Sequence, residues 1–190
     1  MQRYETKLFL LFVFLLLIYL AIAYFIHWPA GYYGSIEQPR FADPWIARTE
    51  TILSGGLLYR DVFTTTPPLT NFLLIPPAYL AGKLGHVNPW ATLSFMLYFS
   101  LFNYFGALVL LYMGETRREG FWTAVFFLLN PLTFGNTILR RQDESVVVFF
   151  IGVALLLFLK RKHLSAAVSM GSMGLTRMAT LTLVLDDFFI

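Results

Sequence analysis

Carboxylates and arginines beside apolar segments are the residues of this sequence most able to do chemistry. Asp43 stands before Pro44, and Arg140-Arg141-Gln142-Asp143-Glu144 stands between two apolar runs. A carboxylate can accept a proton or hold a divalent cation, and an arginine can bind phosphate through paired hydrogen bonds. Each also has an ordinary structural use, Asp43 as a helix N-cap and the arginines as partners of lipid headgroups. The residues alone leave both kinds of role open.

Arg177 is unusual because it lies within an apolar run. An arginine in the middle of a membrane span costs about 2.5–3.5 kcal/mol on insertion scales and is a functional hypothesis by default. Asp186 and Asp187 are nine and ten positions away, which is about 13 Å or more along a helix and too far for a direct ion pair. We therefore expect Arg177 to face other helices or a phosphate group.

The composition excludes several classes of protein. Of the 190 residues, 57% are hydrophobic, 18% aromatic and only 13% charged, which is typical of a chain in lipid and not of a soluble domain. The sequence contains no cysteine, so thiolate metal sites and a cysteine nucleophile are excluded. The three histidines are far apart, and no HExxH, G-x-S-x-G or Gly-rich phosphate loop is present. A net charge of +3 spread over loops gives no reason to expect a nucleic-acid partner.

Five apolar runs predict transmembrane helices. The first, Leu8 to Ile26, has 19 residues without a charge, enough to cross a hydrocarbon core of about 30 Å. It ends at His27-Trp28-Pro29 without a signal-peptide cleavage site, which favours an uncleaved anchor. The predicted fold is an all-α polytopic membrane protein with a single transmembrane domain and spans at about 8–26, 91–113, 121–139, 143–159 and 164–185.

A further apolar segment, Leu69 to Leu84, is short and has Pro76-Pro77 in its middle. Two central prolines make a continuous spanning helix there costly, and the distribution of Lys and Arg also favours a segment that does not cross. Residues 27–88 then form one long outer loop that contains a short membrane-associated helix. The N-terminus is predicted to be cytoplasmic, and the plasma membrane is the expected location.

The outer loop itself contains a second short helix by its local signals. Asp43 before Pro44 is a good helix start, and Ser54-Gly55-Gly56 is a good stop. The residues that follow are Tyr59-Arg60-Asp61 and then Pro67-Pro68-Leu69.

This ordered run resembles the first outer loop of the GT-C fold glycosyltransferases, in particular the dolichyl-phosphate-mannose-protein mannosyltransferase-like family. In that family an acidic residue, a short helix, a Gly pair, a Tyr-x-Asp step and Pro-Pro-Leu follow one another in this order. Arg140-Arg141-Gln142-Asp143 and Lys160-Arg161-Lys162 are similar to the basic turns that flank a later helix of the family. Thr64-Thr65-Thr66 departs from the pattern, because many relatives that use lipid acceptors have a lysine or acidic residue before the Pro-Pro step.

The resemblance implies transfer of a sugar from a polyprenyl-phosphate donor to an acceptor at the extracytoplasmic face. Asp43 is then the catalytic base, or the ligand of a divalent metal such as Mg or Mn. For substrate binding the resemblance implies Arg140, Arg141, Asp143, Tyr59, Asp61 and Arg177. Of these, Tyr59 and Asp61 are expected to shape the loop and not to react. The acceptor is left open as a protein, lipid or glycan.

Two alternatives stay open at this point. The chain is short for the family, so we expect the N-terminal portion of a larger protein, inactive by itself or serving as a non-catalytic remnant or subunit. A small transporter component is the other alternative, and it predicts interrupted helices in both halves of the chain. From the sequence only Pro76-Pro77 suggests an interruption, with no counterpart in the second half.

Overall fold

The computed structural model describes residues 2–27, 44–62, 64, 67–83, 90–139 and 143–176. In these ranges the secondary structure is helical, and the only extended pairing is an isolated bridge between Leu58 and Val62. A π-helical turn covers Gly135–Leu139. The helices are α1 Gln2–His27, α2 Pro44–Leu53, α3 Pro68–Leu73, α4 Ile75–Lys83, α5 Trp90–Met113, α6 Arg117–Leu129, α7 Pro131–Phe134, α8 Glu144–Leu159 and α9 His163–Thr176.

The chain divides into two compact units. One comprises Met1–His27 and Met96–Gly171, and the other comprises Trp28–Phe95 and Ser172–Ile190. Within the first unit, α1 packs against α6 and the π-helical turn, with Phe12 and Tyr19 both in ring contact with the fully buried Phe134. Phe102 of α5 is in ring contact with Phe149 of α8, so aromatic pairs join these helices around a core that is mostly aliphatic.

Two of the described helices are long and apolar enough to cross a membrane, in segments Arg3–Phe25 and Leu93–Met113. Helix α6 and the segment Pro131–Leu139 form a pair bent by 56°, which makes a third crossing if the pair is one span. Helix α8 is apolar but has only 16 residues, about 24 Å, which is short of a hydrocarbon core of about 30 Å. The described residues thus support two to three spans, and the five predicted ones are not supported.

The bend between α6 and α7 corrects a sequence expectation. The run 121–139 is not one straight helix, because Pro131 has no N–H to donate to the carbonyl of Phe127. That carbonyl instead accepts a hydrogen bond from the Thr133 hydroxyl at 2.8 Å. The side-chain oxygen of Asn130 caps the next helix by accepting from the N–H of Leu132 at 3.0 Å. An interruption therefore exists in the second half of the chain, and the prediction that there is none was wrong.

In the second unit, α2 packs against α3 and α4. The apolar segment around Pro76-Pro77 is two short helices, where the sequence analysis predicted one short membrane-associated helix. The break lies at Leu74, so both prolines fall in the first turn of α4, where a missing N–H is tolerated. Helical bonding resumes when the N–H of Ala78 donates to the carbonyl of Leu74 at 3.0 Å.

Candidate functional site

Between α1 and α5 the described chain begins with helix α2, whose end is fixed by two glycines. The N–H of Gly56 donates to the carbonyl of Thr51 at 2.9 Å, and the N–H of Gly55 donates to that of Ile52 at 3.1 Å. This pair of bonds is the Schellman motif, and Gly55 has the positive φ of 85° that the motif requires. The helix Pro44–Leu53 and its stop at Ser54-Gly55-Gly56 confirm the sequence prediction.

The turn that follows is organised by the carboxylate of Asp61. Its Oδ2 accepts from the backbone N–H of Leu57 at 2.7 Å and from Nη2 of Arg60 at 2.8 Å. Its Oδ1 accepts from Nε of Arg60, also at 2.8 Å, so the guanidinium binds in the paired geometry. The backbone N–H of Asp61 donates to the carbonyl of Leu57. Leu57 and Asp61 are therefore joined by one backbone hydrogen bond and one bond to the Asp61 side chain.

These contacts change the titration of both partners. The hydrogen bond from Arg60, and after it the bond from the Leu57 N–H, holds the pKa of Asp61 below its ordinary value. The same bond raises the pKa of Arg60 above its ordinary value. Both groups are therefore charged at neutral pH, and Asp61 is committed to holding the turn.

Tyr59 occupies the strained position of this turn. Its φ is 68°, in the left-handed region that a residue with a Cβ seldom adopts. Its N–H donates to the carbonyl of Val62 at 3.1 Å, and its side chain is half exposed. Tyr59 and Asp61 are the two predicted site residues that the described structure brings together.

Helices α2 and α4 form a groove of about 410 Å³. From α2 and its end it is lined by Thr49, Glu50, Leu53 and Ser54, and from α4 by Ala78, Tyr79 and Lys83. The ammonium of Lys83 lies 5.3 Å from the centre of the Tyr79 ring, one helical turn earlier. The lining residues of the groove therefore include a cation, a carboxylate, three hydroxyl groups and an aromatic ring.

Asp143 belongs to the other unit, directly before α8. Its carbonyl accepts from the N–H of Val146 at 2.9 Å, while its side chain makes no capping hydrogen bond to the helix. Glu144 is the acidic residue in the first turn of α8, where it complements the helix dipole.

The remaining predicted site residues, Asp43, Arg140, Arg141 and Arg177, lie outside the described residues. In the ranges that are described, no group of three or more His, Asp or Glu side chains could hold a metal ion. The predicted metal role rests on Asp43 alone and stays a prediction.

Sequence reasoning did not single out the groove residues Glu50, Tyr79 and Lys83. The spacing of Tyr79 and Lys83, four residues apart in an apolar segment, is a weak signal for one shared helix face. Their approach to Glu50 depends on the packing of α2 on α4, which no local pattern reveals. Comparison with known proteins gives no match to a family model, to a curated protein or to a solved structure.

Proposed function

We propose that this chain belongs to a membrane glycosyltransferase that moves a sugar from a polyprenyl-phosphate donor to an acceptor at the extracytoplasmic face. The observation that carries the proposal is the ordered run from Asp43 through Gly55-Gly56 and Tyr59-Arg60-Asp61 to Pro67-Pro68-Leu69. It is supported by the packing of the described part of this run, in which α2, the Asp61 turn and α3 belong to one compact unit.

In this proposal the chain has five spans, a cytoplasmic N-terminus and a place in the plasma membrane. Asp43 takes the proton of the acceptor hydroxyl, which is the role that needs a carboxylate in an inverting transfer. Arg140 and Arg141 stabilise the phosphate leaving group by hydrogen bonds, with Asp143 orienting them. Arg177 binds the carrier phosphate, while Tyr59 and Asp61 keep the loop in shape.

The test is a transfer assay on membranes containing the full chain, with radiolabelled polyprenyl-phosphate mannose as donor. Replacing a general base costs about 10²–10⁴ in rate, so Asp43→Asn should lower transfer by that factor. Glu115→Gln is the matched control, because Glu115 is an exposed carboxylate between α5 and α6. Wild-type rates in Asp43→Asn would remove Asp43 from the reaction. Absence of transfer by the wild-type chain would favour the non-catalytic alternative.

A transporter component is the second candidate, and the bend at Asn130-Pro131 favours it. The helices are interrupted at Leu74 and at Asn130, so that each half of the chain contains one interruption among the described residues. Interrupted helices in both halves are a feature of many transporters. Uptake or efflux of a solute by proteoliposomes containing the chain, abolished by straightening the bend with Pro131→Ala, would support this candidate over the transferase.

A further inference from the structure

The groove between α2 and α4 has opposite charges from its two helices. Lys83 of α4 and Glu50 of α2 both line the groove, and both residues are exposed. A ligand that carries both an anion and a cation complements these two charges, whereas a simple anion would be repelled by the carboxylate of Glu50.

The groove also has an apolar side that continues onto the surface. Leu53 and Tyr79 line it and are 55% and 53% exposed, and the adjacent Leu80 is 50% exposed. Exposed apolar side chains next to a charged groove suit a molecule with a polar head and hydrocarbon chains. Tyrosine with an apolar ring and a polar hydroxyl is the residue enriched where lipid headgroups lie.

The groove also contains a buried hydroxyl group, that of Thr49. The residue is 2% exposed and lines the groove, and its buried hydroxyl has no hydrogen-bond partner among the described residues. A buried hydroxyl without a partner is unfavourable, so a polar ligand atom that reaches it is stabilised. The hydroxyl of Ser54 donates to the carbonyl of Thr51 at 2.9 Å, which leaves its oxygen able to accept from a ligand.

We propose that this groove binds the headgroup of phosphatidylethanolamine from the surrounding membrane. Lys83 binds the phosphate, and Glu50 accepts hydrogen bonds from the primary ammonium group. The acyl chains run along Leu53, Tyr79 and Leu80. The site is distinct from the proposed transfer reaction, and it holds the outer loop against the lipid surface whether or not the chain transfers sugar.

The choice of headgroup follows from its chemistry. Phosphatidylcholine has the same phosphate, but its quaternary ammonium has no N–H to donate to Glu50. Phosphatidylglycerol has hydroxyl donors but no positive charge to pair with the carboxylate. Phosphatidylethanolamine alone among the three combines a phosphate with a charged N–H donor.

The test uses the full chain in nanodiscs made of equal amounts of these three lipids, followed by native mass spectrometry of the released protein. We expect retained phosphatidylethanolamine in the wild type. Because hydrogen bonds to charged groups are among the stronger ones, Lys83→Gln and Glu50→Gln should each lower this retention by about tenfold. Lys83→Arg should keep it, since arginine also binds phosphate.

Matched controls are Arg118→Gln and Glu115→Gln, which remove exposed charges outside the groove and should leave retention unchanged. Helicity by circular dichroism checks that the groove variants fold. Equal retention of all three lipids, or unchanged retention in Lys83→Gln, overturns the proposal. Preferential retention of phosphatidylglycerol overturns the role of Glu50. Displacement of the lipid by added polyprenyl phosphate would instead make the groove a donor site.

Discussion

Asp61 holds its turn through three hydrogen bonds to its two carboxylate oxygens, and these bonds require the ionised form. We predict that Asp61→Asn loosens the chain between Leu57 and Val62, because an amide has one oxygen and cannot receive the paired guanidinium. Trypsin should then cut after Arg60 several-fold faster in the variant. An unchanged cleavage rate would mean that the backbone bonds of the turn suffice without the carboxylate.

The pH dependence of the same turn follows from the lowered pKa of Asp61. A carboxylate with a depressed folded-state pKa contributes stability above its unfolded pKa of about 3.9, and this is lost as pH falls through the folded value. Hydrogen exchange at the Leu57 amide, corrected for its intrinsic rate, should stay constant from pH 7 to about pH 4 and accelerate below. In Asp61→Asn the corrected rate should show no such step.

The two glycines after α2 differ in what a methyl group would meet. A Cβ on Gly56 would lie 2.6 Å from Cγ2 of Thr51 and 2.9 Å from its carbonyl oxygen, whereas a Cβ on Gly55 has nothing within 4 Å. Gly56→Ala should lower the free energy of unfolding by about 1–3 kcal/mol, because the added methyl group overpacks the site. Gly55→Ala should lower it by about 1–2 kcal/mol, because alanine is strained in the left-handed backbone conformation. Thermal loss of helicity measures both. Equal midpoints for Gly56→Ala and the wild type would contradict the close approach of Thr51 to Gly56.

At the scale of elements, the sequence predicts what is encoded locally. Helix α2 and its stop could be predicted because proline and the glycine pair act within a few residues. The bend at Asn130-Pro131 has local causes too, but the run 121–139 was taken as one span because it is apolar throughout. The support from α5, where Asn103 is 30 positions from the carbonyl of Thr133 that it binds, is not visible in any local pattern. The groove was missed because Glu50 and Lys83 line one groove only through the packing of α2 on α4, which no local pattern reveals.

Asn103 is the side chain that ties α5 to the bent segment. It is 2% exposed, and its Nδ2 donates to the carbonyl of Thr133 at 3.1 Å and to the hydroxyl of Thr137 at 3.0 Å. Asn103→Leu should lower the free energy of unfolding by about 1–3 kcal/mol, because it removes both bonds and leaves the buried hydroxyl oxygen of Thr137 without its donor. The Thr133 carbonyl keeps its bond from the Thr137 hydroxyl at 2.9 Å. Unfolding in mixed detergent micelles is the measurement.

Ser100 offers a matched control one turn earlier on α5. It is fully buried, and its hydroxyl has no partner among the described residues, so Ser100→Ala removes a polar atom without breaking a bond. This variant should be neutral or slightly stabilising. If both variants had the same stability, the Asn103 bonds would have no role in holding the bend.

At the scale of the whole molecule, the number of crossings decides which residues share a side of the membrane. The chain has no cysteine, so single cysteines can be placed without background labelling. Suitable positions are Ser54 after α2, Glu115 between α5 and α6, Glu144 at the start of α8, and Lys162 between α8 and α9. Each position lies at the end of a helix and not within the core of one.

An impermeant maleimide applied from outside intact cells separates the possible topologies. If α1, α5, the bent pair and α8 all cross and the N-terminus is cytoplasmic, Ser54 and Glu144 are labelled while Glu115 and Lys162 are protected. If α8 is too short to cross, Glu144 and Lys162 are both labelled. If the bent pair re-enters without crossing and α8 also fails to cross, only Ser54 is labelled. We expect the first pattern, because the clusters Arg117-Arg118 and Lys160-Arg161-Lys162 then both lie on the cytoplasmic side.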